Sequence, residues 1–286
     1  MKHLLLITLI SLFGMKTQAA EQPYAMIAGG SKGIGYGLAE ALAKRSFNLI
    51  LVARHEGPLK DAKANLEQTY HIKVETIAKD LSEERTAVEL AEWCTQRNIP
   101  LKMLCNVAGF GGSRDFMSNL PLDSLRYMIH VNIESGMALT YTLLPILEKN
   151  APSYVLNISS MAGLAPMPQK NLYSATKSSV LFFSYSLRYE LKDKGISVSC
   201  LAPGPVLTKK EVVDETRKQM GTLGMKMAMK PHEVGEIAIR KTLKGRMLIV
   251  PGTMARVSSM ALRVLPRRWS AALYNELMKD DKGANE

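Results

Sequence analysis

Cysteine is scarce: Cys94, Cys105 and Cys200 are the three in the chain, and no C-x-x-C spacing occurs. An odd count without paired spacing excludes a disulfide framework and a zinc ribbon, and no metal site is expected. Cys105 and Cys200 fall in apolar strand-like runs, where a thiol serves as a small core group. Internal repeats, low-complexity tracts and long linkers are lacking too, which excludes solenoid and tethered-module architectures. No nucleic-acid-binding motif accompanies the basic balance, so no nucleic-acid partner is expected. The apolar run Leu4–Phe13 is too short for a comfortable transmembrane helix, which needs roughly 20 residues.

What is present is a 286-residue chain with 47% hydrophobic and 22% charged residues, ordinary for a globular protein with a large core. Length alone allows one or two domains, and α/β folds of this size are often single. The formal net charge of +11 fits a plain basic protein, an anionic cofactor or substrate, or a negative membrane surface.

The chemistry concentrates between residues 154 and 191. Tyr154–Ile158 reads as a buried strand, and from Asn171 apolar residues recur at helical spacing until Gly195 stops the pattern. Ser160 therefore stands at the C-terminal end of a strand, where open α/β sheets place their ligands. Tyr173 and Lys177 are one turn apart and share a helix face. A neighbouring cation favours a phenolate, typically by about 1–3 pKa units, and a Ser hydroxyl can donate to a developing oxyanion.

A second constellation lies upstream. The first strand, Tyr24–Ala28, runs into a glycine-rich turn and then a helix. Gly29, Ser31, Lys32, Gly33, Ile34 and Gly35 would form a cradle in which bare backbone and a helix N-terminus meet a pyrophosphate. NAD-selective folds place an acid about 20 residues later, on the ribose 2′-hydroxyl. Here Ala53-Arg54 stands at that point. With no carboxylate to repel a 2′-phosphate, and with Arg54 and Lys32 to pair with it, the expected cofactor is NADP(H).

On Ser160, the Tyr173/Lys177 pair and Gly29/Gly33/Gly35, the sequence resembles the short-chain dehydrogenase/reductase family from about Pro23 to Pro251. The resemblance implies one doubly wound Rossmann-like α/β domain, with helices on both faces of a mainly parallel sheet. Its reaction would interconvert a carbonyl and a secondary alcohol: NADPH gives hydride, Tyr173 the proton, Ser160 holds the oxygen, and Lys177 tunes Tyr173 and binds ribose. It further implies that Asp80 and Leu81 border the adenine, and that Asn106, Ala108 and Gly109 form a cofactor wall. By the same resemblance Asn132 holds a proton-relaying water, and Pro203, Gly204, Val206 and Thr208 lie beside the nicotinamide. Two departures stand out: Ala28 where the family usually has Thr, and Val107 within its usual N-N-A-G run.

Further expectations concern the remainder. Ser82 reads as the N-cap of a helix opened by Glu83 and Glu84. Lys209–Lys230 is polar with Met220, Met225, Met227 and Met229, a lid over an apolar acyl-chain or steroid-like substrate or else an ordinary surface helix pair. Residues 1–20 have the layout of a signal peptide or hydrophobic anchor, pointing to an exported or membrane-associated protein; a spurious start on a cytoplasmic enzyme is the alternative. The catalytic domain would then span 21–252, and 253–286 a basic amphipathic extension that packs on the domain or a dimer, or lies on a membrane; Pro266 should break it. A homodimer or homotetramer is expected. Rival functions are an NADP(H)-binding regulator without turnover and a membrane-surface protein on the same scaffold.

Overall fold

The structure is a computed structural model describing residues 22–208, 212–214, 216–217, 224–225 and 228–279. Seven strands form the sheet: β1 (Tyr24–Ala28), β2 (Asn48–Ala53), β3 (Val74–Ala78), β4 (Leu101–Asn106), β5 (Ser153–Ile158), β6 (Ile196–Leu201) and β7 (Leu248–Ile249). Their order is β3-β2-β1-β4-β5-β6-β7, with every pairing parallel. The chain runs outward from β1 to β3, then returns past β1 to β4. That reversal opens a crevice at the carboxyl ends of β1 and β4.

A fully parallel sheet must be covered on both faces, so its strands are apolar throughout. β1 is buried at every position. Ala25 and Ile27 face a layer made by α1 (Gly33–Ala43), α2 (Glu56–Tyr70) and α7 (Pro231–Leu243). Met26 and Ala28 face the opposite layer, built by α3 (Thr86–Gln96) and α5 (Ser135–Lys149). On that second side α4 (Leu122–Ile129) passes through a π-helical turn, His130–Glu134, into α5. α6 (Asn171–Glu190) carries Tyr173 and Lys177, and the chain turns at Gly195 (φ +71°) into β6.

Two glycines set how the first layer meets. A Cβ on Gly37 of α1 would lie 2.2 Å from the Pro231 carbonyl oxygen, and one on Gly235 of α7 would lie 2.1 Å from that of Gly37. The two backbones touch. Arg45, just past α1, adds a two-pronged contact to Glu236 at 2.9 and 2.5 Å.

α8 (Thr253–Val264) and α9 (Arg267–Lys279) follow, separated at Leu265-Pro266 as expected of that proline. Leu262 and Tyr274 pack with Leu164, Leu181 and Cys200, so the extension lies against the carboxyl end of the domain. One expectation shifts. Ser82 is no helix cap: its backbone N–H and hydroxyl both donate to Asp80 Oδ1, at 2.9 and 2.7 Å, and α3 begins only at Thr86. The local turn satisfied the serine before a helix could use it. α2 starts at Glu56, and Asn132 sits in the π-helical turn. The leader-like residues 1–20, and Met220 and Met227 of the expected lid, lie outside the described residues; Met225 and Met229 are half-buried.

Candidate active site

The crevice at the strand ends gathers the glycine turn first. Gly29 (φ +98°) and Gly33 (φ +56°) take backbone conformations that favour glycine. A Cβ on Gly35 would stand 1.9 Å from the Gly29 carbonyl oxygen, so the turn folds directly onto the first turn of α1. Gly29 N–H donates to Val52 O (2.8 Å), while Ala28 O accepts from Val107 N (2.9 Å) and Ala108 N (2.7 Å). These bonds fasten the turn between β2 and β4. Lys32 takes the cap position of α1 without a side-chain cap, and no acid occupies the first turn. The helix thus presents N–H groups and the positive end of its dipole to the crevice, which fits a diphosphate. Arg54 is exposed just past β2, and Leu81 is buried just beyond β3.

Asn106 ends β4. Its Nδ2 donates to Asn157 Oδ1 (2.8 Å) and Thr140 Oγ1 (3.0 Å), tying β4 to β5 and α5 inside the sheet. Asn132 clamps the segment beyond it: Oδ1 accepts from Phe110 N (2.6 Å), and Nδ2 donates to Phe110 O (3.0 Å) and Thr176 Oγ1 (3.0 Å). A Cβ on Gly109 would lie 3.3 Å from Lys177 Nζ and 3.4 Å from Asn132 Oδ1. A methyl there would be a tight contact, which the Lys177 end and the Asn132 amide would have to yield to by a few tenths of an ångström. A π-turn at a functional crevice is a recurring arrangement, and here it delivers Asn132 to the junction.

Ser160, two residues past the end of β5, is extended, and its Oγ accepts from Ala162 N at 3.1 Å. Ser159 Oγ donates to Lys177 O (2.6 Å), locking α6 to the end of β5. Lys177 is buried, its Nζ donating to Ile158 O at 2.9 Å and lying 5.9 Å from the centre of the Tyr173 ring. Burial pushes its pKa down to about 8. Tyr173 is pushed above the ordinary phenol value, first by burial, with a hydrogen bond to Ser160 pulling the other way. The net direction is opposite to the lowering expected of Lys177, because loss of solvent outweighs the Ser160 hydrogen bond. The phenol is therefore protonated at neutral pH, the state a proton donor needs.

Ser160, Tyr173, Lys177, Ile34, Gly109, Pro203, Gly204, Val206 and Thr208 line one cavity of about 860 Å3. Asn106, Ala108 and Asn132 instead line a separate pocket of about 20 Å3 behind it. Arg54, Asp80 and Leu81 lie outside both. One part of the large cavity's lining is one the sequence reading missed: Ala255, Leu262 and Leu265 at α8, and Leu273 and Tyr274 on α9. The amphipathic pattern of the extension was visible, but not which surface its apolar side would meet. Among the described residues no cluster of His, Cys, Asp or Glu could hold a metal.

The sequence profile described as short chain dehydrogenase matches residues 23–220. The chain is 36% identical over 189 residues to the very-long-chain 3-oxoacyl-CoA reductase-A of Danio rerio, covering 65% of this chain and 59% of that protein. It thus spans about three fifths of the length of that curated relative. Among solved structures it resembles a 7beta-hydroxysteroid dehydrogenase with a TM-score of 0.79 at 21% identity, over 88% of this chain and 96% of the other. A short-chain dehydrogenase from Sphingobium yanoikuyae, in complex with NADPH, gives a TM-score of 0.72 at 25% identity, over 84% and 92%.

Proposed function

The chain belongs to the short-chain dehydrogenase family, and from that premise we propose that it is an NADP(H)-dependent reductase of a long apolar carbonyl compound. A long-chain 3-oxoacyl derivative is the first choice of substrate and a hydroxysteroid-like ketone the second. The observation that carries this is the cavity itself, whose lining joins Ser160, Tyr173 and Lys177 to apolar side chains of α8 and α9. Similarity to a very-long-chain 3-oxoacyl-CoA reductase supports the substrate class, and the NADPH-bound relative supports the cofactor.

The glycine turn and the start of α1 would hold the diphosphate, Arg54 and Lys32 the 2′-phosphate. NADPH, when bound, supplies a hydride to the carbonyl carbon. Ser160 donates a hydrogen bond to the carbonyl oxygen and orients it toward Tyr173. Tyr173, kept protonated by burial, gives its proton to that oxygen, so hydride and proton together complete the alcohol. Lys177 places a buried positive charge beside the phenol, favouring the phenolate that proton transfer leaves, and contacts ribose. Asn132 holds the Gly109–Phe110 backbone in place beside Lys177.

In this reading residues 1–20 are a leader or anchor, 21–252 the catalytic domain and 253–286 the extension that completes its cavity. Among the described residues no helix is long and apolar enough to cross a membrane. Val257, Met260 and Val264 nevertheless form an exposed stripe on α8, with Arg256 and Arg263 also exposed, a pattern suited to a lipid surface. Exposed Tyr141, Phe182 and Tyr189 on α5 and α6 suit a second copy of the chain. The test of the chemistry is Tyr173→Phe, which should lower kcat by at least about a hundredfold, the lower range for a lost general acid, while NADPH still binds by fluorescence titration. Near-wild-type turnover would remove Tyr173 from the acid role.

A further inference from the structure

Arg54 is exposed, yet it is held. Its Nη1 donates to the hydroxyl of Tyr127 at 2.6 Å, and the guanidinium carbon lies 5.8 Å from the centre of the Tyr127 ring. Tyr127 comes from α4, 73 residues further along the chain. Its ring in turn meets Phe110 edge to face, with centroids 5.4 Å apart and planes at 70°. Phe110 is anchored through both backbone polar groups by the Asn132 amide. The side chain expected to meet the 2′-phosphate thus stands at the end of a column rooted in the π-helical turn.

We propose that Tyr127 is a positioning residue for cofactor choice: it holds Arg54 in the conformation that receives the 2′-phosphate, so selection of NADP(H) over NAD(H) depends on α4 as well as on β2. This rests on the NADP(H) reading given above. The bond to Tyr127 uses one of the five guanidinium N–H groups, and a phosphate needs two in parallel. No carboxylate among the described residues pairs with Arg54, so the remaining edge is not spent on an ion pair. An exposed arginine alone samples many rotamers and must be frozen when the phosphate binds. Held beforehand by Tyr127, it has already lost much of that freedom. Phe110 does the same for the Tyr127 ring.

The test is a set of dissociation constants for NADPH and NADH, measured by fluorescence titration on wild type, Tyr127→Phe, Arg54→Ala and the double variant. Tyr127→Phe keeps the ring and its contact with Phe110 and removes only the hydroxyl. It should weaken NADPH by about threefold to tenfold, the equivalent of ordering one rotamer-rich side chain, while NADH moves less than twofold. In the Arg54→Ala background the same change should do nothing further. Unchanged or tighter NADPH binding by Tyr127→Phe would overturn the proposal, the latter showing that Tyr127 competes with the phosphate. So would an equal loss for both cofactors. Arg54→Ala separates the two levels: if it weakens NADPH no more than NADH, the 2′-phosphate assignment itself fails.

Discussion

Lys177 carries its charge where water does not follow, and that makes the residue a pH sensor. Burial lowers its pKa to about 8 while it raises that of Tyr173. Between neutrality and the phenol's own titration, the ammonium is the group that changes. The rate of carbonyl reduction, read as kcat/KM against pH, should therefore fall above pH about 8 with a single proton lost. A profile flat to pH 10 would dissociate the cation from the chemical step. The same shift has a stability consequence of definite sign. Unfolded, the lysine keeps its proton to about 10.4, so between pH 8 and there the unfolded state binds more protons and the folded state gains as pH rises. That gain is lost again as pH falls through about 8. Denaturation of wild type and Lys177→Met should show wild type improving relative to the variant across that window. The one-turn spacing of Tyr173 and Lys177 was legible from the sequence. The order of effects on their protons was not, because desolvation is a property of the packed molecule rather than of neighbours along a helix.

Among elements, the meeting of α1 and α7 is the least forgiving. Their backbones approach at Gly37 and Gly235, where a Cβ would lie 2.1–2.2 Å from a carbonyl oxygen. Gly235→Ala replaces a good contact by an overlap that no rotamer relieves. Overpacking of this kind costs about 1–3 kcal/mol, a fall in Tm of about 2–12 °C for a domain somewhat larger than those so calibrated. Because α1 begins at the glycine turn, NADPH affinity should drop as well. Thermal melts with and without NADPH check both, and an unchanged Tm would show that the helices can part freely. The element boundaries themselves were largely visible, since buried parallel strands announce themselves as apolar runs between glycine, proline and helical segments. Ser82 was misread because a turn with Asp80 competes for the same hydroxyl. The π-turn at Asn132 left no mark, since its composition does not differ from that of an ordinary helix.

For the whole molecule, the cavity joins parts that the sequence shows separately. Its reactive lining comes from the tip of β5 and from α6, and much of its apolar lining from α8 and α9. If the substrate is a long chain, kcat/KM should rise with length by up to about 0.8 kcal/mol per buried methylene. Leu265→Ser with Leu273→Ser should flatten that rise and leave NADPH affinity unchanged. A slope unaffected by these changes would place the chain elsewhere. No property of residues 253–279 alone could have named this partner surface, because it exists only once the domain has closed. The contact of Gly37 with Gly235 bears on how the chain is born. The nucleotide half, β1 to β3 with its helices, leaves the ribosome before α7, so the face of α1 that α7 covers stays bare until residue 235 has emerged. A released fragment ending near residue 225 should therefore be cut by protease at α1 and fail to hold NADPH, whereas one ending past residue 250 should resist. α1 waits for α7.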